Sequence, residues 1–175
     1  MNDRQKRISL LARKNFGTAE KPALIRVLSV ALKSSLLEDC FTDIETADRL
    51  RQLSVSNYES AKHDPEPAFV RYFSKAEQKE VFDLVSCLGT KVSDAPIFLL
   101  FRQSELCGAI LIGGHTAFAK ARSLIEVDGD GLTVVAENQE DGLLLDYNPD
   151  DVDRCYELVV WGSLWPVLLL PCIGS

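Results

Sequence analysis

Cys107 and His115, a thiol and an imidazole eight positions apart, have the chemistry of a nucleophile and its base. A nucleophile needs that base within hydrogen-bond reach. Here the Gly113-Gly114 turn falls between them. Cys107 alternates with Ala109 and Leu111, as on one face of a strand from Cys107 to Ile112, which reads as a packed thiol. His115 falls at a helix start, exposed. Asp128-Gly129-Asp130-Gly131 begins like a calcium loop, but Leu132 stands where the pattern requires an oxygen ligand. It is read as a turn with no metal. Gly113-Gly114 lies between a strand and a helix, yet lacks G-x-G-x-x-G and the Lys-Ser/Thr of a phosphate loop. It is read as a permissive turn, and no cofactor is expected.

Carboxylates are the more distinctive group. Eleven acidic residues and one basic residue, Arg154, lie between Glu126 and Glu157. The whole chain carries 19 basic and 26 acidic residues, a net charge of −7, so the acidity belongs to this stretch. Like charges on one surface cost stability through self-repulsion, and a basic partner offsets that cost. Asp146, Asp150, Asp151, Asp153 and Glu157, in and beside the polar loop Asn148 to Asp153, are therefore the candidate partner-binding residues. The same charge argues against nucleic acid, whose phosphates need Lys and Arg.

The elements that must position these residues follow from periodicity. Asp3 to Asn15 reads as a short basic helix stopped by Gly17, and a second helix starts near Pro22. Thr42 and Glu45 have capping-box spacing and open a helix to about Leu53. The segment 54–71 is irregular, with a loop or hinge at His63 to Pro67. Ser74 and Glu77 form a second capping box, opening a helix to Leu88 that Gly89 closes. Strands follow at 97–101, 107–112, 132–136, 143–147 and 156–161, with a helix at about 116–125. The strand–helix–strand run from 107 to 136 admits a right-handed crossover and a partly parallel sheet.

Residues 1–175 are thus expected to form one α+β domain. Its helical N-terminal half, about 1–90, packs on a largely antiparallel or mixed sheet of about four or five strands spanning 95–162, and an apolar tail covers 163–175. The tail is broken by Pro166 and Pro171 and is too short for a membrane span of roughly 20 residues. The N-terminus has no apolar signal core. Five cysteines without C-x-x-C pairing, beside two histidines, read as five reduced thiols with no zinc, in the cytoplasm.

The helical first half, Tyr72-Phe73-Ser74-Lys75-Ala76-Glu77, the strand Ile97 to Gln103 and the acidic ending Gly142–Tyr147 to Tyr156–Gly162 resemble a known family. It is that of the small acidic immunity proteins that bacteria encode beside polymorphic or contact-dependent growth-inhibition toxins. The resemblance implies a cytoplasmic inhibitor that binds one toxin domain, often a nuclease, and performs no catalysis. Two other readings compete. One is a small cytosolic enzyme using Cys107 and His115 or the acidic-loop carboxylates; the other is an adaptor.

Overall fold

The computed structural model describes residues 3–64, 67–92 and 94–173. Seven α-helices occur among them: α1 (Asp3–Leu32), α2 (Ile44–His63), α3 (Gln78–Val92), α4 (Ser104–Cys107), α5 (Gly114–Ala119), α6 (Ala121–Asp128) and α7 (Trp165–Leu169). Six strands, β1 (Phe69–Phe73), β2 (Pro96–Leu100), β3 (Ile110–Gly113), β4 (Gly131–Ala136), β5 (Gly142–Tyr147) and β6 (Tyr156–Trp161), form one sheet in the order β1-β6-β5-β4-β2-β3. Every pairing is antiparallel. The fold is α+β.

Strand alternation divides the core in two. Ile97, Leu99, Leu132, Val134, Leu143, Leu145, Leu158 and Val160 pack with α1, α3, α5, α6 and α7 on one face. Leu100, Val135, Val159 and Trp161 pack under α2 on the other. Interior strands covered on both faces need apolar residues at nearly every position, which explains the unbroken run in β2 and the run in β6 whose one charged residue, Glu157, is paired internally. Among the described residues, no helix is long and apolar enough to cross a membrane.

Several expectations are corrected. The two N-terminal helices are one, α1. Gly17 lies inside it and is buried, because a Cβ there would overlap the Leu106 carbonyl oxygen of α4. Its role is close approach, not termination. Pro22 sits in the helix interior on an exposed side, where it forgoes only the bond to the Thr18 carbonyl. Helix α2 is capped by Asp43, not Thr42, through a 2.7 Å bond from the Thr46 amide, and it continues ten residues past Leu53. The end of the irregular segment, from Phe69, belongs to β1, so the sheet has six strands. Part of the expected hinge, residues 65 and 66, lies outside the described residues.

Helix α3 runs past Gly89, where a Cβ would collide with Phe118 of α5. The Ser74–Glu77 capping box is present, opening a 3-10 turn that leads into α3. Cys107 ends α4 and does not begin a strand; the chain turns at Gly108 (φ +92°) and β3 starts at Ile110. The expected helix at 116–125 is two helices, broken at Lys120. Strands β3 and β4 both flank β2 and both oppose it, so the crossover leaves no parallel pairing.

The tail is part of the core. Trp165 meets Phe118 edge-on at 5.5 Å and Leu169 is fully buried. The buried Asp141 carboxylate accepts the Leu164 and Trp165 amides at 2.8 and 2.9 Å, satisfying the first donors of α7. This packing carries Cys172 to α3, where it forms a disulfide with Cys87 across a Cα separation of 6.1 Å. The expectation of five free thiols is therefore wrong: Cys40, Cys107 and Cys155 are free.

Candidate functional site: an acidic cleft at the loop end of the sheet

Antiparallel register builds the site. Tyr72 pairs with Glu157, Glu157 with Asp146, and Asp146 with Gly131, a row across β1, β6, β5 and β4. Alternation turns this row toward α2. Helix α2 answers with Tyr58 and Lys62, one turn apart on the side that faces the sheet.

Glu157 is the centre of this arrangement and is only 9% exposed. One carboxylate oxygen accepts the Tyr58 hydroxyl at 2.9 Å. The other lies 2.9 Å from the Lys62 ammonium, an ion-pair contact and not an aligned hydrogen bond. Lys62 also donates to the Tyr58 hydroxyl at 2.8 Å and rests over the rings of Tyr58 and Tyr72. Arg154 covers the Tyr72 ring. Burial alone would raise the Glu157 carboxyl, but Lys62 and Tyr58 outweigh it and hold the group below the usual carboxylate range. Lys62 is raised, by Tyr58 first and Glu157 next.

Beside this cluster a cavity of about 500 Å³ opens between α2 and the ends of β2, β4 and β5. Val55, Leu100 and Leu144 give it an apolar floor, and Glu59, Asp128, Asp130 and Asp146 stand around it with Arg51 and Arg102. Both cations are engaged. Arg51 donates to the Phe101 carbonyl at 2.8 Å, and Arg102 lies 3.4 Å from Asp130. Burial, and then the charge of Glu157, holds the Asp146 carboxyl above its usual range. Burial raises Asp128 as well, partly offset by the Arg102 amide that it accepts at 2.8 Å.

The hairpin loop continues the acidic end, since the Tyr147 amide bonds to the Asp130 carbonyl. Its five candidate carboxylates do different things. Asp151 accepts the Asp153 and Arg154 amides at 3.1 and 2.9 Å and thereby shapes the loop. Asp150 and Asp153 are exposed; Asp146 is exposed as a residue, but its carboxyl lies against the cleft wall and still feels burial, whereas Glu157 is internal and paired. Sequence reading did not find Tyr58, Lys62 or Arg51. The signal for Tyr58 and Lys62 was the continuing helical spacing of Leu50, Ser54, Tyr58 and Ala61 through a segment read as irregular, whereas Arg51 falls in the helix read to Leu53.

Cys107 and His115 are not brought together. They lie beyond opposite ends of β3; the thiol is buried, which raises its pKa, and the imidazole is exposed. An unactivated, enclosed thiol is a poor nucleophile. Asp128 ends α6 and Gly129 is its left-handed cap, so the Asp-Gly-Asp-Gly motif is a helix terminus. Among the described residues, no group of three or more His, Cys, Asp or Glu side chains is placed to hold a metal. Gly114 turns the chain by donating to the Ala95 carbonyl at 3.0 Å. No protein-family model, curated protein or solved structure matches the chain.

Proposed function

We propose that this chain is a non-catalytic binding protein that neutralises a basic partner through the acidic loop end of its sheet. The partner is a toxin domain, and the setting the bacterial cytoplasm, as the resemblance to immunity proteins implies. The observation that carries this reading is the unequal commitment of charge. Arg51, Arg102 and Lys62 are engaged within the chain, while Asp146, Asp150 and Asp153 face outward. Such a surface attracts a basic protein at long range and fixes its orientation on contact. The apolar floor of the cleft gives an incoming Lys or Arg stem something to cover while its head meets Asp146.

The test uses the product of any toxin-like reading frame that sequencing finds beside the gene. Asp150→Ser with Asp153→Ser is expected to slow association about tenfold at low salt and to flatten its salt dependence, with melting unchanged. Asp151 is left intact because it holds the loop. Equal rates for both proteins at both salt concentrations would remove the loop from the interface. A competing reading, an enzyme using acidic-loop carboxylates, draws on Asp128 and Asp146, two raised carboxyls facing one cavity. Neutralisation of the toxin that survives Asp128→Asn but not Asp146→Asn favours binding over catalysis.

A further inference from the structure

Glu157 stands in a strand whose six residues are all buried, and its neighbours on the same face, Val159 and Trp161, belong to the core under α2. The fold does not require a carboxylate there, since apolar residues often replace buried ion pairs without loss of stability. The surroundings of Glu157 are more than a single ion pair. Its carboxylate forms a base, and Tyr58 and Tyr72 form two aromatic walls, with ring centroids 4.9 and 5.8 Å from the Lys62 ammonium. A buried carboxylate and two ring faces around one ammonium are the parts of a site that recognises alkylammonium groups.

Lys62 fills this site, but its fit is incomplete. It donates to the Tyr58 hydroxyl at 2.8 Å, whereas Glu157 Oε1, 2.9 Å away, accepts no aligned hydrogen bond. A carboxylate oxygen met by charge alone forgoes the charge-assisted bond that an ammonium not tethered to α2 can make. The occupant is also the accessible part. The Lys62 side chain is 35% exposed and Tyr72 40%, against 10% for the Glu157 side chain. The site therefore opens to solvent on the side of Lys62, whose flexible four-carbon stem can swing out while α2 stays in place. One lysine head replacing another repeats the same contacts, and the departing ammonium regains its water. Tyr58 also lines the acidic cleft, and Asp146, across the ladder from Glu157, lines it too.

We propose that Tyr58, Tyr72 and Glu157 form a recognition site for a lysine side chain of the partner, with Lys62 as an internal occupant that the incoming ammonium displaces. That the lysine belongs to a protein partner rests on the binding reading above. The site itself does not, and it can fail while the loop carboxylates still steer association. The probe is Nα-acetyl-lysine methylamide, titrated by NMR into the full chain at low salt. Lys62→Ala should bind it about tenfold more tightly than the wild type, the factor expected when the occupant leaves the site open roughly one-tenth of the time. Arg154→Ala removes an equal charge from over the Tyr72 ring and should gain less than about twofold, the part due to screened charge alone. Adding Glu157→Gln to Lys62→Ala should abolish the gain, and a probe acetylated at its side-chain amine should not bind. In the wild type, saturating probe should move the Lys62 ε-methylene signal to the position of a free lysine, a measurement that needs no variant to fold. Equal binding by wild type and Lys62→Ala would overturn the proposal. So would an equal gain in Arg154→Ala, or a Lys62 signal that stays in place at saturation.

Discussion

Glu157 shows what a charge in a sequence conceals. Its acidity alone placed it among the surface carboxylates, yet it is buried and tied to Lys62 and Tyr58. The signal was its place in the strand: residue 157 shares a face with Val159 and Trp161, which are in the core. Its pKa is depressed in the folded state, so its stabilisation is present above the ordinary carboxylate range and is lost as pH falls through the folded value. Lys62→Met should therefore cost about 1–3 kcal/mol at neutral pH, less than for a fully buried pair because Lys62 is partly exposed. The difference from the wild type should narrow as pH falls and Glu157 becomes protonated. Urea denaturation at several pH values measures both; a constant difference would show that the pair contributes by packing alone. Asp146 works in the opposite sense. It faces Glu157 across the ladder and its pKa is raised, so its charged form opposes folding above that value and the penalty is relieved in acid. Asp146→Asn should stabilise the protein by about 0.2–1 kcal/mol at neutral pH, as expected for removal of a like-charge cross-strand pair. The same variant should bind the basic partner more slowly, which separates a docking charge from a structural one.

At the scale of elements, the sheet was more legible than the helices. Strands β2, β4, β5 and β6 were each found within a residue or two, because short, predominantly apolar runs bounded by turn residues admit few other readings. Strand β1 was hidden by Arg71 and by its place at the sheet edge, where only partial burial is required. Helix ends were misplaced where glycine served packing, at Gly17 and Gly89, and where proline was tolerated on an exposed side, at Pro22. Gly17 is the clearest case, and it permits a test whose sign is decisive. In an exposed helix interior, Gly→Ala gains about 1 kcal/mol from propensity. At residue 17 the added Cβ would overlap the Leu106 carbonyl, forcing α1 away from α4. Gly17→Ala should instead destabilise by about 1–3 kcal/mol in denaturant unfolding, the range for overpacking. A stabilised variant would mean that α1 and α4 lie farther apart than the structure has them. The segment most misread, 54–63, supplies Tyr58 and Lys62, so one lost helix half also removed two residues of the site from view.

In the molecule as a whole, the C-terminal tail closes the side of the sheet that carries most of the helices, and three independent ties hold it. Asp141 caps it, Trp165 and Leu169 bury it, and Cys172 links it to α3. The sequence showed five cysteines and an apolar ending, but pairing depends on how the tail folds back, which spacing does not encode. The bridge closes a separation of 85 residues and so restricts the unfolded chain strongly. A reducing cytoplasm opposes such bonds, whereas an oxidising compartment maintains them. The thiol count therefore bears on where the protein works. Alkylation of denatured protein without reductant should label Cys40, Cys107 and Cys155, and reduction should add Cys87 and Cys172. Reduction, or Cys87→Ser with Cys172→Ser, should lower stability by about 2–4 kcal/mol. The fold should remain, because the capping and packing of the tail do not require sulfur. Five reactive thiols in protein isolated under non-reducing conditions would show that packing alone seats the tail and would agree with a cytoplasmic inhibitor. Three would place the bridge in the working molecule and move the encounter with a toxin to an oxidising compartment.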